Sequence, residues 1–239
     1  MLETLIDIDT QLLLWINGHH AAWSDTLMWY SSQAWVWIPM YLLLAAYLIW
    51  LLRPQRFTAE VQSATSKPPV CDALLRWLPA VSAVLVVAAA AGLSDFVTSG
   101  ILKGLIARPR PTHTPDIAGM LHTVNGYRGG HYGFPSSHAA NCWALCLSSI
   151  LILHSRQHAA HGGGGIFYRL SKYEGLNTLT VFLLLIYAML NCYSRMYLGV
   201  HFPLDIVCGT LTGCLIGWLL FIVWQGAINI WISKNNLEK

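Results

Sequence analysis

The sequence predicts an all-α, polytopic membrane bundle of about five transmembrane helices, preceded by an N-terminal amphipathic helix lying in the membrane interface. Three observations predict it. Of 239 residues, 55% are hydrophobic and only 10% charged, where a soluble domain carries about 25% charged residues, and the mean hydropathy is +0.50. Apolar runs long enough to cross a bilayer recur along the chain between short polar intervals. Eleven Trp and ten Tyr suit two interfacial aromatic belts. A net charge of +3 without a basic stripe excludes nucleic acid as a partner. The six cysteines show no Cys-x-x-Cys or Cys/His zinc spacing and read as small buried hydrophobes.

Residues 1–33 hold Glu3, Asp7, Asp9 and Asp25 but no Lys or Arg, and Leu5, Ile8, Leu12 and Trp15 recur at helical spacing. This is the pattern of an interfacial helix; without a basic leading region it is not expected to be a cleaved signal. Residues 34–239 form the membrane domain. Its first span is about Ala34–Leu52, its second about Trp77–Leu105, its third about Ser136–Leu153, its fourth about Leu176–Tyr193 and its fifth about Leu204–Ile232. Between the first and second spans lies a polar stretch with Arg53, Arg56, Lys67 and Arg76. Residues 106–134 form a long irregular segment rich in Pro, Gly, His and Arg. Residues 154–175, with four consecutive glycines at 162–165, read as a flexible loop.

Positive charge orients the bundle. Arg53, Arg56, Lys67, Arg76, Arg156, Arg169, Lys172, Lys234 and Lys239 fall on one side, taken as cytoplasmic, while Lys103, Arg108, Arg110, Arg128 and Arg195 fall on the other. Cations on the translocated face call for an anion to bind there. Three stretches meet at that face: Lys103 to Pro111, Phe134-Pro135-Ser136-Ser137-His138, and Tyr193 to Asp205. Lys103 and Arg110 offer point and forked charge to a phosphate. Ser136 is placed to cap the third span, whose first amides and dipole end favour an anion. His201 and Asp205, four residues apart around Pro203 at a helix start, share a face. The carboxylate can hold one ring nitrogen and leave the other free as base or nucleophile.

Lys103-x6-Arg110-Pro111, Pro135-Ser136-Ser137-His138 and Ser194-Arg195-x5-His201-x3-Asp205 together resemble the three signatures of the phosphatidic acid phosphatase type 2 superfamily, over about residues 90–215. The second signature departs once, because that family usually has Gly where Ser137 stands. The resemblance implies that His201 attacks phosphorus to give a phosphohistidine, with Asp205 orienting its ring. It makes His138 the acid toward the leaving lipid oxygen and then the activator of water. Lys103, Arg110 and Arg195 would hold the phosphate oxygens, helped by amides near Ser136 and Ser137. Such a site needs no cofactor and no metal, since positioned charge suffices for phosphoryl transfer.

Outside the signatures, Arg108, Arg128 and His131 are candidates for contacting the lipid head group, and Gly129, Gly130 and Gly133 for letting the outer loop fold close over the site. Asp95, inside the second span, is expected to make a structural hydrogen bond. The expected activity is hydrolysis of a lipid phosphate monoester or diphosphate at the outer face of a bacterial inner membrane. Undecaprenyl diphosphate and lipid A are favoured over phosphatidylglycerophosphate and phosphatidic acid, because the long outer loop suits a large head group. The same intermediate would also serve a phosphotransferase passing phosphate to a lipid or sugar acceptor. A transporter is disfavoured, because its charges would gather at the midplane of broken helices. The expected partner is the lipid substrate alone, and no oligomeric state follows from the sequence.

Overall fold

The computed structural model describes residues 2–54, 75–155 and 174–234. Arg56, Lys67, Cys71, Arg156, the glycine run 162–165, Arg169, Lys172 and Lys239 lie outside the described residues. Seven principal helices follow in order: α1 (Leu2–Gly18), α2 (Ala22–Ser31), α3 (Ala34–Leu52), α4 (Leu78–Ile106), α5 (Ser137–Leu153), α6 (Glu174–Tyr197) and α7 (Pro203–Lys234). Four of them, α3, α4, α6 and α7, are long and apolar enough to cross a membrane. The helix α5 has 17 residues, about 26 Å at 1.5 Å per residue, a little under the roughly 30 Å of a hydrocarbon core. It occupies the middle of the bundle, and Cys142, Leu145, Cys146, Ile152 and Leu153 from it join the main core.

The N-terminal part differs from the single helix expected. The chain breaks after Gly18 and restarts at Ala22, where the Ser24 hydroxyl accepts from the Ala21 amide at 3.1 Å and caps the new helix. Leu5, Ile8, Leu12 and Trp15 are exposed, while Asp9, Leu13, Ile16 and Asn17 are buried on the opposite face. The helix therefore presents one apolar stripe outward and turns Asp9 and Asn17, together with Leu13 and Ile16, to the protein. Asn17 explains the docking. Its Nδ2 donates to the carbonyls of Tyr197 and His122 at 2.7 and 2.9 Å, and its Oδ1 accepts from the His122 amide at 2.9 Å.

Packing of α5 on α7 brings the second and third signatures together. Gly209, Gly213 and Gly217 follow one stripe of α7, and a Cβ at each would overlap the backbone of Ser136, Ala140 and Ala144 on α5. Small residues at this spacing let two apolar helices approach to backbone contact. At the top of this seam the Ser136 amide donates to the Asp205 carbonyl at 2.9 Å. The two helix starts are thereby locked in register.

Two local irregularities set the first signature. Residues Phe96–Leu102 form a π-helical turn inside α4. The wider turn changes the angular position of every residue after it, including Lys103. The helix then ends at Ala107, which has φ +52°, and Pro109 cannot continue it. The fourth span runs further than expected, through Tyr197, so Ser194 and Arg195 sit in the last helical turn instead of after it.

Candidate active site

The site is assembled at the ends of α4, α5, α6 and α7 that lie beside α1 and the 107–136 loop. His201 is fully buried just before α7, and its Nδ1 lies 3.3 Å from Asp205 Oδ2. The same carboxylate oxygen accepts from the Phe202 amide at 3.0 Å. The other ring nitrogen, Nε2, is buried and has no hydrogen-bond partner among the described residues. A buried polar atom is ordinarily satisfied, so Nε2, opposite a held Nδ1, is the candidate atom for chemistry at this site. Burial, reinforced by the positive charges of Arg110, Arg195 and Lys103, holds the His201 imidazole well below its usual protonation range. A ring so held favours its neutral form, in which one nitrogen lone pair can act as a nucleophile.

The cations around it are fixed individually. Lys103 Nζ donates to Ser137 Oγ at 2.9 Å and to Ser99 Oγ at 3.4 Å. Ser99 in turn bonds Asp95 Oδ1 at 3.2 Å, and Asn141 Nδ2 donates to that oxygen at 3.3 Å. Arg110 is buried, donating from Nε to the Tyr132 carbonyl at 3.1 Å and from a terminal nitrogen to the Val200 carbonyl at 3.4 Å. Burial and the like charge of Arg195 push its guanidinium down from the ordinary range. Arg195 is 1% exposed; one terminal nitrogen reaches Tyr127 Oη at 3.3 Å and its Nε has no partner. For Tyr127, burial raises the phenol, but Arg195 and Arg110 more than offset it and the net shift is downward. Cations gathered in this way repel one another, and such a cluster can receive a multiply charged anion.

Ser136 is buried and its hydroxyl accepts from the Ala139 amide at 3.5 Å, as a cap should. Its own amide is taken by Asp205. The unpaired first amides of α5 therefore come from Ser137 and His138. His138 is half-buried in that first turn, with the backbone of Ser32 nearby.

The loop residues separate. Arg108 does not reach outward: one terminal nitrogen donates to Asp205 Oδ1 at 2.8 Å and the other to Asp9 Oδ2 at 2.7 Å, with the guanidinium 4.1 Å over the Phe202 ring. Arg128 and His131 are exposed on the outer loop. Gly129, at φ +68°, and Gly133 press on Arg110, and a Cβ at Gly129 would lie 2.6 Å from an Arg110 terminal nitrogen. A Cβ at Gly130 would meet nothing within 4 Å, so close packing does not require glycine there. Sequence reasoning missed Asp9 and Tyr127. The isolated acid among the buried positions of α1 was the available signal for the first; nothing local distinguished Tyr127.

Comparison with known proteins gives the same identity. The profile of the PAP2 superfamily matches residues 79–229. A lipid A 4′-phosphatase of Bacteroides thetaiotaomicron is 32% identical over 93% of this chain and 80% of its own length. Another from Porphyromonas gingivalis is 29% identical over 98% of this chain and 80% of its own. In fold, the chain is similar to a PAP2-type phosphatidylglycerolphosphate phosphatase from Bacillus subtilis, with TM-score 0.57 at 18% identity, covering 91% of this chain and 84% of that one. With the family profile matching most of the chain and a relative 32% identical along almost all of it, this chain belongs to the PAP2 superfamily and is a membrane lipid phosphatase.

Proposed function

We propose that the chain removes a phosphate monoester from lipid A through a phosphohistidine intermediate, at the outer face of a bacterial inner membrane. The observation that carries it is His201, with Nδ1 held by Asp205 and Nε2 unpartnered among Lys103, Arg110 and Arg195. The phosphate dianion enters this cluster, and its charge favours the protonated form of His138. The Nε2 lone pair of His201 forms a bond to phosphorus as the bond to the lipid oxygen breaks. His138 gives its proton to that leaving oxygen. Neutral His138 then takes a proton from water, whose oxygen attacks phosphorus, breaks the N–P bond and releases inorganic phosphate. Asp205 stabilises the cationic phospho-imidazole between the two steps.

The activity named for the two relatives that align along the chain supports lipid A as the substrate. A cavity of about 420 Å³ lined by Tyr41, Leu48, Val87, Ala91, Leu145 and Tyr187 lies between α3, α4, α5 and α6, and offers room for acyl chain. Asn141 also lines it, three residues after His138, so head and tail can be held together. The excess of Lys and Arg at the opposite end of the spans supports a periplasmic site.

The test is phosphate release in detergent from purified lipid A, undecaprenyl diphosphate, phosphatidylglycerophosphate and phosphatidic acid, with no added acceptor. Lipid A is expected to give the highest kcat/KM. Preference for another lipid would overturn the substrate, and release that requires an alcohol acceptor would make the enzyme a phosphotransferase. In a background without native cysteines, Thr114→Cys should react with an impermeant thiol reagent on intact spheroplasts and Gly163→Cys should not. The reverse pattern would move the site to the cytoplasmic leaflet.

A further inference from the structure

We infer that Asp9, on the N-terminal helix α1, is a positioning residue for the reaction, acting on His201 through Arg108 and Asp205. This rests on the phosphohistidine reading above and deepens it. Asp9 is buried, with its side chain 1% exposed, and both of its oxygens are used. Oδ2 accepts from Arg108 at 2.7 Å, and Oδ1 accepts from the Leu204 amide at 2.8 Å. Leu204 is in the first turn of α7, where an amide lacks a partner within its own helix. One carboxylate thus caps the helix that carries Asp205 and also grips the guanidinium that grips Asp205.

The arrangement is a line of alternating charge: Asp9, Arg108, Asp205, then the His201 ring. Two carboxylates share the two terminal nitrogens of Arg108, at 2.7 and 2.8 Å. The plane of the guanidinium is fixed by Phe202 at 4.1 Å. Asp9 has two effects on chemistry. It prevents Arg108 from turning, so Asp205 keeps Oδ2 aimed at His201 Nδ1. It also balances the Arg108 charge. Without Asp9, the whole of that positive charge would bear on Asp205 and weaken its hold on the imidazole, which becomes cationic when phosphorylated. Ground-state phosphate binding depends instead on Lys103, Arg110 and Arg195, none of which contacts Asp9 in the hydrogen-bond network. The loss should therefore fall on kcat, not on KM.

The experiment compares wild type with Asp9→Asn, Asp9→Glu, Arg108→Gln and the double change Asp9→Asn/Arg108→Gln, as purified full-length enzyme in detergent. Rates are referred to active sites counted from the burst of phosphoenzyme quenched in alkaline denaturant, in which an N–P bond survives, so unfolded protein does not count. Asn keeps an oxygen for the Leu204 amide and so preserves the cap, and the double variant removes the Asp9 and Arg108 charges together, while Asp205 keeps the Phe202 amide and His201. Asp9→Asn is expected to lower kcat roughly tenfold to a hundredfold with KM within about twofold. Asp9→Glu should recover part of the rate. Asp9→Asn should cost little more once Arg108 is already Gln, because the two act in series. Wild-type kcat in Asp9→Asn, or an equal loss in both backgrounds, would overturn the inference and leave Asp9 a cap alone. Failure of the wild type to release phosphate or form phosphoenzyme would instead overturn the proposed function.

Discussion

Lys103 donates from Nζ to the hydroxyl of Ser137 at 2.9 Å, which joins the end of α4 to the first turn of α5 at the position where the family usually carries Gly. The hydroxyl steadies a flexible cation at the mouth of the proposed phosphate site. Ser137→Gly should therefore remain active, with KM raised roughly twofold to tenfold, the worth of one such hydrogen bond. Kinetics on a single lipid phosphate check this. An unchanged or lowered KM would show that the hydroxyl only takes up room.

His201→Ala should remove the attacking atom and reduce kcat by at least about 10⁴-fold while the protein stays folded. Asp205→Asn should cost less, because it disturbs the ring's tautomer and aim but leaves Nε2 in place. Single-turnover phosphoenzyme formation separates the two: none in the first, slow in the second. Phosphoenzyme in His201→Ala would assign the nucleophile elsewhere.

Gly129→Ala places a methyl group 2.6 Å from an Arg110 terminal nitrogen, at a φ of +68° that side chains rarely adopt. Arg110 must move, and the expected result is a KM increase of about tenfold or more with the fold preserved. Gly130→Ala meets nothing within 4 Å and should behave as wild type. Equal behaviour of the two variants would remove Arg110 from the phosphate site.

Stability should depend on pH through His201. Burial and three nearby cations lower its protonation range in the fold, while the unfolded chain titrates near 6.5. Below about pH 6.5 the unfolded state binds a proton that the folded state does not, so stability falls as pH falls. One unit lower, at pH 5.5, the loss is about 1.4 kcal/mol. Thermal unfolding in detergent without phosphate should show a smaller drop between pH 7.5 and 5.5 for His201→Asn than for wild type. Parallel slopes would mean that His201 is protonated in the fold.

Much of the site was legible in the sequence because its parts are local. His201 and Asp205 share one helix start, Ser136 caps the first turn of α5, and Lys103 and Arg110 flank the end of one span. Helical periodicity and capping chemistry act over a few residues, so spacing alone places such groups on common faces. The apolar runs likewise determine the spans, because only a helix satisfies its backbone in lipid.

What the tertiary structure decided lies between segments distant in sequence. Asp9 reaches Leu204 across 195 residues, and Arg108 is turned from the outer loop to two carboxylates. The π-helical turn before Lys103 sets which way that cation faces, and the α5–α7 seam brings the helix start that carries His138 beside the one that follows His201. None of these follows from periodicity. Each depends on which small surfaces fit together and on which partner satisfies a buried charge, and both are settled only when the helices pack.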